Sequence, residues 1–269
     1  MVNKATKLFN YFLDFKKEYI AEIKLGVVTD TWDTDGKVLE KNKVENINAG
    51  KIYQILGKLI GKNAQMPPVY SAVKFKGRPS YSFARRGQSI ELKPRMVDIY
   101  NLELISMDKD LLTLKVSCGS GTYIRSLVHE MGEKLGCGAA MKGLRRTAIG
   151  DFKLKNSVSV ENLIKEKTGK DDDFLSSPYL ISIERLLERN PNFYVKNKYK
   201  KHILNGHPVN GGMVKLSRIR DKNPFGKGIL VKIKDSSENL VAIHKSLSKN
   251  IISDIRHGRP NLTKNVLIL

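Results

Sequence analysis

The sequence predicts a chain of mixed helices and strands with a small β-rich module at its C-terminal end. Apolar side chains occupy every second position from Leu112 to Cys118, which is typical of a strand with one buried face. After Gly119 and Gly121, an amphipathic helix is predicted from its apolar stripe at Ile124, Leu127, Val128, Met131 and Leu135. Beyond residue 190, short strand-like runs alternate with turn residues and predict the β-rich module.

The elements before this central strand follow the same periodicities. Residues 3–15 predict a short helix, and Tyr19–Gly26 predicts a strand. Asn48 is a suitable N-cap for the next helix, which Gly61 is expected to end. A further strand is predicted over Val97–Ile105.

The elements after the central strand are less regular. Gly136 is expected to end the amphipathic helix, and Ser120 or Thr122 is expected to cap its start. Residues 144–152 are predicted to be extended, and the composition of residues 165–190 indicates a linker. The predicted elements of the C-terminal module are a helix at Asn197–Leu204 and strands at Met213–Ile219, Gly228–Ile233, Leu240–His244 and Asn265–Leu269.

The charge balance points to a polyanionic partner. The 269 residues include 48 Lys and Arg against 27 Asp and Glu, which gives a net charge of +21. Nucleic acid is the simplest such partner, and a membrane surface is the alternative, although no basic amphipathic helix with a sustained apolar face is evident. With no apolar run of membrane-spanning length and no signal-peptide pattern, the sequence predicts a cytoplasmic protein that does not associate with membranes.

Metal and disulfide chemistry are not expected. Cys118 and Cys137 are too few for a disulfide framework, and no CxxC pair or histidine cluster accompanies them. The segment Thr29–Gly36 resembles a calcium loop, but Thr31 and Asn42 stand where an aspartate and a bidentate glutamate are required. We interpret this segment as a polar connection.

One basic segment combines cations with aromatic rings. Between Gly61 and Arg95 there are eight Lys or Arg residues, and Glu91 is the single acid. This composition is used to hold folded or single-stranded RNA, whereas a solvated charged surface is the simpler interpretation.

Two further residues allow a structural and a functional interpretation. Arg125 is a cation in the first helical turn, where the helix dipole favours anions, so it is either a solvated surface residue or the partner of an anion. Tyr19 lies on the apolar face of its strand, so it is either a core side chain or a platform on which a base stacks.

Several motifs occur in a characteristic order between Lys4 and Phe152. They are Ala5-Thr6-Lys7, Tyr19, Thr29-Asp30-Thr31 to Gly36, Gln65 to Gly87, Gly121-Thr122-Tyr123-Ile124-Arg125, Gly136-Cys137-Gly138, and Leu144-Arg145-Arg146-Thr147 with Gly150 and Phe152. With this ordered set the chain resembles the TruB family of tRNA pseudouridine synthases, which modify uridine 55 in the T arm.

The resemblance implies an architecture. The fold class is α+β, with a pseudouridine-synthase-type, largely antiparallel sheet that is N-terminally truncated. Residues 1–164 would form this portion of the catalytic core, with an RNA-gripping insertion at residues 61–95. A linker at 165–190 would lead to a small β-rich, PUA-like RNA-binding domain at 191–269.

The resemblance also implies a mechanism without a metal or cofactor, with the T arm of tRNA as the partner. Separately, we expect the protein to be a monomer. The target uridine is flipped out, an aspartate attacks it covalently, and the base rejoins through C5. Tyr19 would stack on the base and take part in the C5 proton transfer, Tyr123 would pack beneath it, and Arg125 would pair with the catalytic aspartate. The expected RNA-binding residues are Tyr70, Lys74, Lys76, Arg78, Tyr81, Arg85, Arg86, Arg145 and Arg146.

One departure affects the expected chemistry. The family's nucleophile belongs to a Gly-Thr-Leu-Asp-Pro-type loop upstream of the Ala-Thr-Lys motif, and the sequence starts just after that place. Asp30, Asp33 and Asp35 align with another loop, so the carboxylate partner of Arg125 is expected to be absent from this sequence. Three hypotheses follow: a synthase whose sequence is given from too late a start, a non-catalytic tRNA-binding or RNA-folding protein, and a fragment that does not fold.

Overall fold

The structure is a computed structural model that describes residues 1, 3–166, 179–215 and 228–269. It divides into a central unit, residues 13–157, and a discontinuous unit that joins residues 1–12 to residues 158–269. Residues 167–178 of the predicted linker and residues 216–219 of a predicted strand lie outside the described part of the chain.

The helices and strands are numbered along the chain. The strands are β1 (Lys17–Leu25), β2 (Val27–Thr29), β3 (Val38–Lys41), β4 (Gly61–Gln65), β5 (Lys74–Phe75), β6 (Arg78–Pro79), β7 (Arg95–Asp108), β8 (Leu111–Cys118), β9 (Ala139–Ile149), β10 (Phe152–Lys153), β11 (Asn192–Tyr194), β12 (Leu230–Lys234), β13 (Leu240–Ser246) and β14 (Thr263–Ile268). The α-helices are α1 (Phe9–Phe12), α2 (Ala49–Leu59), α3 (Ser80–Ala84), α4 (Ile124–Leu135), α5 (Val160–Glu166), α6 (Ile183–Leu186), α7 (Lys200–Leu204) and α8 (Ile251–Arg256).

The central unit is built on an antiparallel sheet with the strand order β10-β9-β1-β8-β7-β4. The alternating residues that predicted β8 are all buried and pack with the apolar stripes of α2 and α4, which confirms the predicted strand and helix. Asn48 caps α2 as expected, because its side chain accepts a hydrogen bond from the Lys51 amide at 3.0 Å.

The start of α4 differs from the expectation of a local cap. Its N-cap residue is Tyr123, whose side chain makes no capping hydrogen bond, and the Thr122 hydroxyl donates instead to the Gly119 carbonyl. The buried Gln65 side chain supplies the contacts: Oε1 accepts from the Tyr123 amide at 2.8 Å, and Nε2 donates to the Tyr123 carbonyl at 3.1 Å. The prediction that Ser120 or Thr122 caps this helix is therefore wrong.

The discontinuous unit contains a sheet with the order β11-β12-β13-β14, in which only the β11–β12 pair is parallel among the described strands. The N-terminal segment forms a 3-10 helix at Asn3–Leu8 followed by α1, so the predicted helix is shorter and less regular than expected. Leu8 is fully buried in a cluster with Leu187, Leu230, Ile243 and Leu267.

The described residues agree with the predicted α+β fold class, with an antiparallel sheet core and a β-rich C-terminal region. Cys118 and Cys137 are both buried and unbridged. Within the described ranges, no helix combines the length and the apolar character needed to cross a bilayer.

Candidate active site and RNA-binding residues

Arg125 projects from the first turn of α4 and makes three hydrogen bonds to other parts of the central unit. Nη1 donates to Asp33 Oδ2 at 2.9 Å and to the Thr31 carbonyl at 3.1 Å, and Nη2 donates to the Tyr70 carbonyl at 2.8 Å. The Arg125 and Asp33 side chains are only 22% and 23% exposed. Arg125 is therefore an enclosed cation paired with a carboxylate, rather than a solvated surface residue.

The identity of that carboxylate corrects the expectation from the sequence. Asp33 was not expected to meet Arg125, whose partner was expected to be absent from the sequence. The structure pairs them because residues 29–36, which we call the Asp33 loop, lie against the start of α4. This pairing satisfies the guanidinium with a carboxylate of the chain itself.

Internal hydrogen bonds fix the Asp33 loop. The Thr31 hydroxyl donates to Asp33 Oδ1 at 2.8 Å, and the Thr29 hydroxyl donates to the Asp33 carbonyl at 2.7 Å. At Gly36 an added Cβ would lie 2.1 Å from Thr31 Oγ1, so the loop closes where only glycine fits. Both oxygens of the Asp33 carboxylate are thus engaged within the protein.

The Asp33 loop also pairs with the neighbouring strand. The Met141 amide of β9 donates to the Trp32 carbonyl at 3.0 Å, and the Thr34 amide donates to the Met141 carbonyl at 2.9 Å. Trp32 has a φ of 63°, a left-handed conformation that costs a bulky residue on the order of 1–3 kcal/mol. The surrounding contacts must offset this strain.

Tyr19 lies on β1 opposite Arg146 of β9 and Val116 of β8. The ring is half-buried against the core, and burial raises the pKa of the phenol while a hydrogen bond with Arg146 opposes that shift. The surroundings of Tyr19 keep the phenol protonated and bring a cation to its oxygen. This arrangement accommodates both interpretations of Tyr19, as a core ring and as a platform for a base.

The two predicted cations of β9 lie on opposite faces of the sheet. Arg146 is opposite Tyr19, whereas Arg145 is opposite Ile20, so successive side chains point to different sides. Arg145 lines a groove of about 930 Å³ together with Glu18, Ile20 and Lys115. In this groove the Glu18 carboxylate accepts a hydrogen bond from the Thr147 hydroxyl and forms an ion pair with Lys115. These contacts lower the pKa of the Glu18 carboxyl. Of the two predicted cations Arg145 and Arg146, the structure therefore brings only Arg146 next to Tyr19.

The predicted RNA-gripping insertion contains a short hairpin of β5 and β6. Lys76 and Gly77 at its turn have φ values of 48° and 81°, the left-handed pair that a tight hairpin turn requires. Phe75 packs edge-to-face on Phe83 of α3 with ring centroids 5.4 Å apart, which fixes the hairpin to the helix. The exposed cations of this hairpin are Lys74, Lys76 and Arg78.

The remaining predicted RNA-binding residues lie on or next to α3. The Arg85 guanidinium lies over the ring of Tyr81 at 5.3 Å, and both side chains are exposed, as is Arg86. Tyr70 precedes the hairpin and connects it to the site, because its carbonyl is the acceptor for Arg125 Nη2. The insertion thus presents cations and rings to solvent while its base contacts Arg125.

The family follows from comparison with known proteins. A family model described as TruB family pseudouridylate synthase (N terminal domain) matches residues 1–124, and one described as tRNA pseudouridylate synthase B C-terminal domain matches residues 125–188. The chain belongs to the TruB family.

Curated TruB relatives support this assignment. The chain is 36% identical over 221 residues to a protein named tRNA pseudouridine synthase B from Clostridium kluyveri, and the match covers 82% of this chain and 73% of that protein. It is 44% identical over 161 residues to the protein of that name from Francisella philomiragia subsp. philomiragia. The latter match covers 60% of this chain and 53% of the relative's length.

Solved structures share the fold. A crystal structure of a Cbf5-Nop10-Gar1 complex aligns over 99% of this chain and 71% of its own, with a TM-score of 0.70 and 23% identity. A structure of the archaeal box H/ACA sRNP Nop10-Cbf5 complex aligns over 99% of this chain and 70% of its own, with a TM-score of 0.69 and 20% identity.

Two residues that the structure brings to the candidate site are not predicted from the sequence. The sequence analysis excludes Asp33 because it aligns with a loop other than the one that carries the nucleophile, yet a carboxylate in a loop of threonines and aspartates is a suitable partner for an unexplained arginine. Gln65 was noted only as the start of the basic segment, although its buried amide holds Tyr123 at the start of α4. No local sequence signal predicts either contact.

Proposed function

We propose that this protein is a tRNA pseudouridine synthase that isomerises uridine 55 in the T arm after flipping the base out of the stack. Membership of the TruB family supports the reaction class. The observation that carries the proposal is Arg125, which is enclosed between the Asp33 loop and the base of the basic insertion. Such a fixed guanidinium can orient the carboxylate of a nucleophilic aspartate and stabilise the negative charge that develops during the reaction.

Each predicted site residue has a place in this reaction. The half-buried Tyr19 ring offers a face for the flipped base and a protonated phenol near C5, with Arg146 at its oxygen. Tyr123, whose backbone Gln65 fixes, would pack beneath the base. The exposed cations and rings of the insertion would bind the T-arm backbone and unstacked bases. No metal or cofactor is needed for these steps.

The covalent step needs an aspartate nucleophile, and the Asp33 carboxylate is not assigned that role, so the proposed reaction requires the family's Gly-Thr-Leu-Asp-Pro-type aspartate in addition to the residues described here. The two carboxylate oxygens of Asp33 accept hydrogen bonds from Arg125 and Thr31, and both contacts stabilise the ionised group in a fixed orientation. We propose that Asp33 orients Arg125 instead. We further propose that the protein acts in the cytoplasm as a monomer, and that residues 191–269 add RNA contacts.

Tritium release tests the proposed function directly. An unmodified tRNA transcript labelled with tritium at C5 of uridine loses label when uridine is converted, and the same transcript with cytidine at position 55 is the control. The measurement uses a form of the protein that also carries the family's Gly-Thr-Leu-Asp-Pro-type loop, which we call the nucleophile-containing form, because no nucleophile is assigned among the 269 residues. We expect this form to release label from the first transcript only. If it binds the transcript but releases no label, the proposal fails.

A non-catalytic tRNA-binding or RNA-folding protein is the second candidate. It is favoured by the observation that the basic insertion presents its cations to solvent, while the carboxylate next to Arg125 is committed to the protein. This candidate predicts binding to the T arm with a steep salt dependence and no conversion. Release of tritium by the chain would eliminate it.

A further inference from the structure

We propose that Trp32 and His129 are a pair of positioning residues whose stacked rings hold the Asp33 loop against α4 and thereby fix Arg125. The ring centroids are 4.4 Å apart and the ring planes differ by 11°. His129 lies four residues after Arg125, so both side chains project from the same face of α4. The Asp33 loop is consequently attached to that face at two points, through Asp33 and through Trp32.

The backbone of Trp32 shows why the stack matters. Trp32 has a left-handed φ of 63°, which its bulky side chain disfavours, so local preference alone would release it toward a negative φ. Because Asp33 is the next residue, such a change would redirect the Asp33 carboxylate away from Arg125. The Met141 hydrogen bond holds the Trp32 carbonyl, and the stack on His129 holds its side chain.

The ring of His129, rather than its polar atoms, makes this contact. Nδ1 is buried and has no hydrogen-bond partner among the described residues, and Nε2 lies 3.7 Å from Oε1 of the largely exposed Glu133. The interaction with Glu133 is long and lies on the solvent side of the helix, where ion pairs contribute little. An aromatic ring at position 129 should therefore retain the function, and a branched aliphatic side chain should not.

Trp32 provides its own reporter, because it is the single tryptophan of the chain. Acrylamide quenching of its fluorescence measures how accessible the Trp32 ring is to solvent, and the stacked His129 ring lowers that accessibility. We expect His129→Leu to raise the quenching constant about two- to tenfold, the range that the loss of one aromatic pair allows. His129→Phe should keep the wild-type value, and Glu133→Gln, which changes the neighbouring charge only, is the matched control.

The link to Arg125 is tested by the reverse experiment. If the loop is held at both points, Arg125→Ala and Asp33→Asn should also raise the quenching constant of Trp32. The double variant Asp33→Asn with His129→Leu should differ from the sum of the single changes, because coupled contacts are not additive. An unchanged quenching constant in either His129→Leu or Arg125→Ala, with the fold retained by circular dichroism, would overturn the proposal.

Catalysis supplies a second readout, and here the inference rests on the proposed function. In the nucleophile-containing form, His129→Leu should lower kcat for uridine conversion about tenfold at an unchanged KM, and His129→Phe should restore it. If that form converts no uridine without any substitution while the quenching results are as expected, the proposed function fails and the positioning pair stands. If conversion is normal in His129→Leu, the pair does not position Arg125.

Discussion

Arg125 and the cations of the β5–β6 hairpin differ in what surrounds them. Arg125 is 22% exposed, and its guanidinium points at two carbonyls and a carboxylate, whereas Lys74, Lys76 and Arg78 are exposed to solvent. An enclosed cation has lost its hydration and must be oriented by fixed partners. An exposed cation keeps its mobility and attracts a polyanion from a distance. The same charge is thus suited to positioning in one place and to affinity in the other.

The largest expected effect is that of removing the enclosed cation. Arg125→Ala deletes three hydrogen bonds and leaves Asp33 without its counter-ion, so kcat for uridine conversion by the nucleophile-containing form should fall about 10²- to 10³-fold. Affinity for the T arm should change by less than about twofold, because the exposed cations remain. Tritium release and a filter-binding assay measure the two quantities. Normal conversion by the variant would remove Arg125 from the site.

The next effect concerns an enclosed polar group of the discontinuous unit. His244 is fully buried, its Nδ1 lies 2.8 Å from the Thr263 hydroxyl, and Nε2 has no hydrogen-bond partner among the described residues. Burial lowers the pKa of His244 from 6.5 to about 4. The folded state therefore keeps the ring neutral at pH values where the unfolded state binds a proton.

This linkage sets a sign and a pH range. The contribution of His244 is fully present above pH 6.5 and is lost as the pH falls toward 4, up to about 3 kcal/mol of unfolding free energy. Urea unfolding should show about 2 kcal/mol of this loss between pH 7.5 and pH 5 in the wild type, and His244→Leu should show a smaller loss. The control variant His257→Gln, at an exposed histidine, should behave like the wild type. A wild-type stability that does not change over this range would contradict the prediction.

Removing exposed cations should have a smaller effect, on affinity alone. Changing Lys74 and Lys76 to Ala should weaken T-arm binding about tenfold at low salt and reduce the salt slope by about 2. Changing Lys41 and Lys43, which are exposed lysines outside the insertion, removes the same net charge and serves as the matched control. Equal losses in both double variants would mean that net charge, rather than the hairpin, determines affinity.

The smallest expected effect concerns the residue that orients the start of α4. Gln65→Ala removes both hydrogen bonds to the backbone of Tyr123 and should cost about 1 kcal/mol of unfolding free energy. Gln54→Ala, at an exposed glutamine of α2, should cost less and is the control. Thermal unfolding compares the two. A smaller loss in Gln65→Ala than in Gln54→Ala would show that Tyr123 needs no external cap.

The elements that the sequence predicts well are those whose burial repeats locally. The alternation from Leu112 to Cys118 and the apolar stripe of α4 each identify a buried face within one element, and the structure confirms both. The short strand β11 was not predicted, because its three residues are too few for a period and its parallel partner β12 lies far along the chain.

The contacts of the site were harder to predict because they join distant positions. The Asp33–Arg125 pair links residues 92 positions apart, and the Gln65–Tyr123 contacts link residues 58 positions apart. In both cases the sequence supplies a suitable donor and acceptor without indicating that they meet. Trp32 has a left-handed φ that places Asp33 next to Arg125, and the local sequence disfavours this φ. Contacts with the assembled sheet and helix are therefore needed to stabilise it.

The burial of Leu8 has a consequence for the order in which the protein is made. Residues 13–157 contain every strand that the described part of the chain contributes to the central sheet, so the contacts of this sheet form between residues synthesised before residue 158. Leu8, by contrast, packs with Leu230, Ile243 and Leu267, which are synthesised much later. We therefore expect the Leu8 side chain to reach its buried position only after β14 has been synthesised.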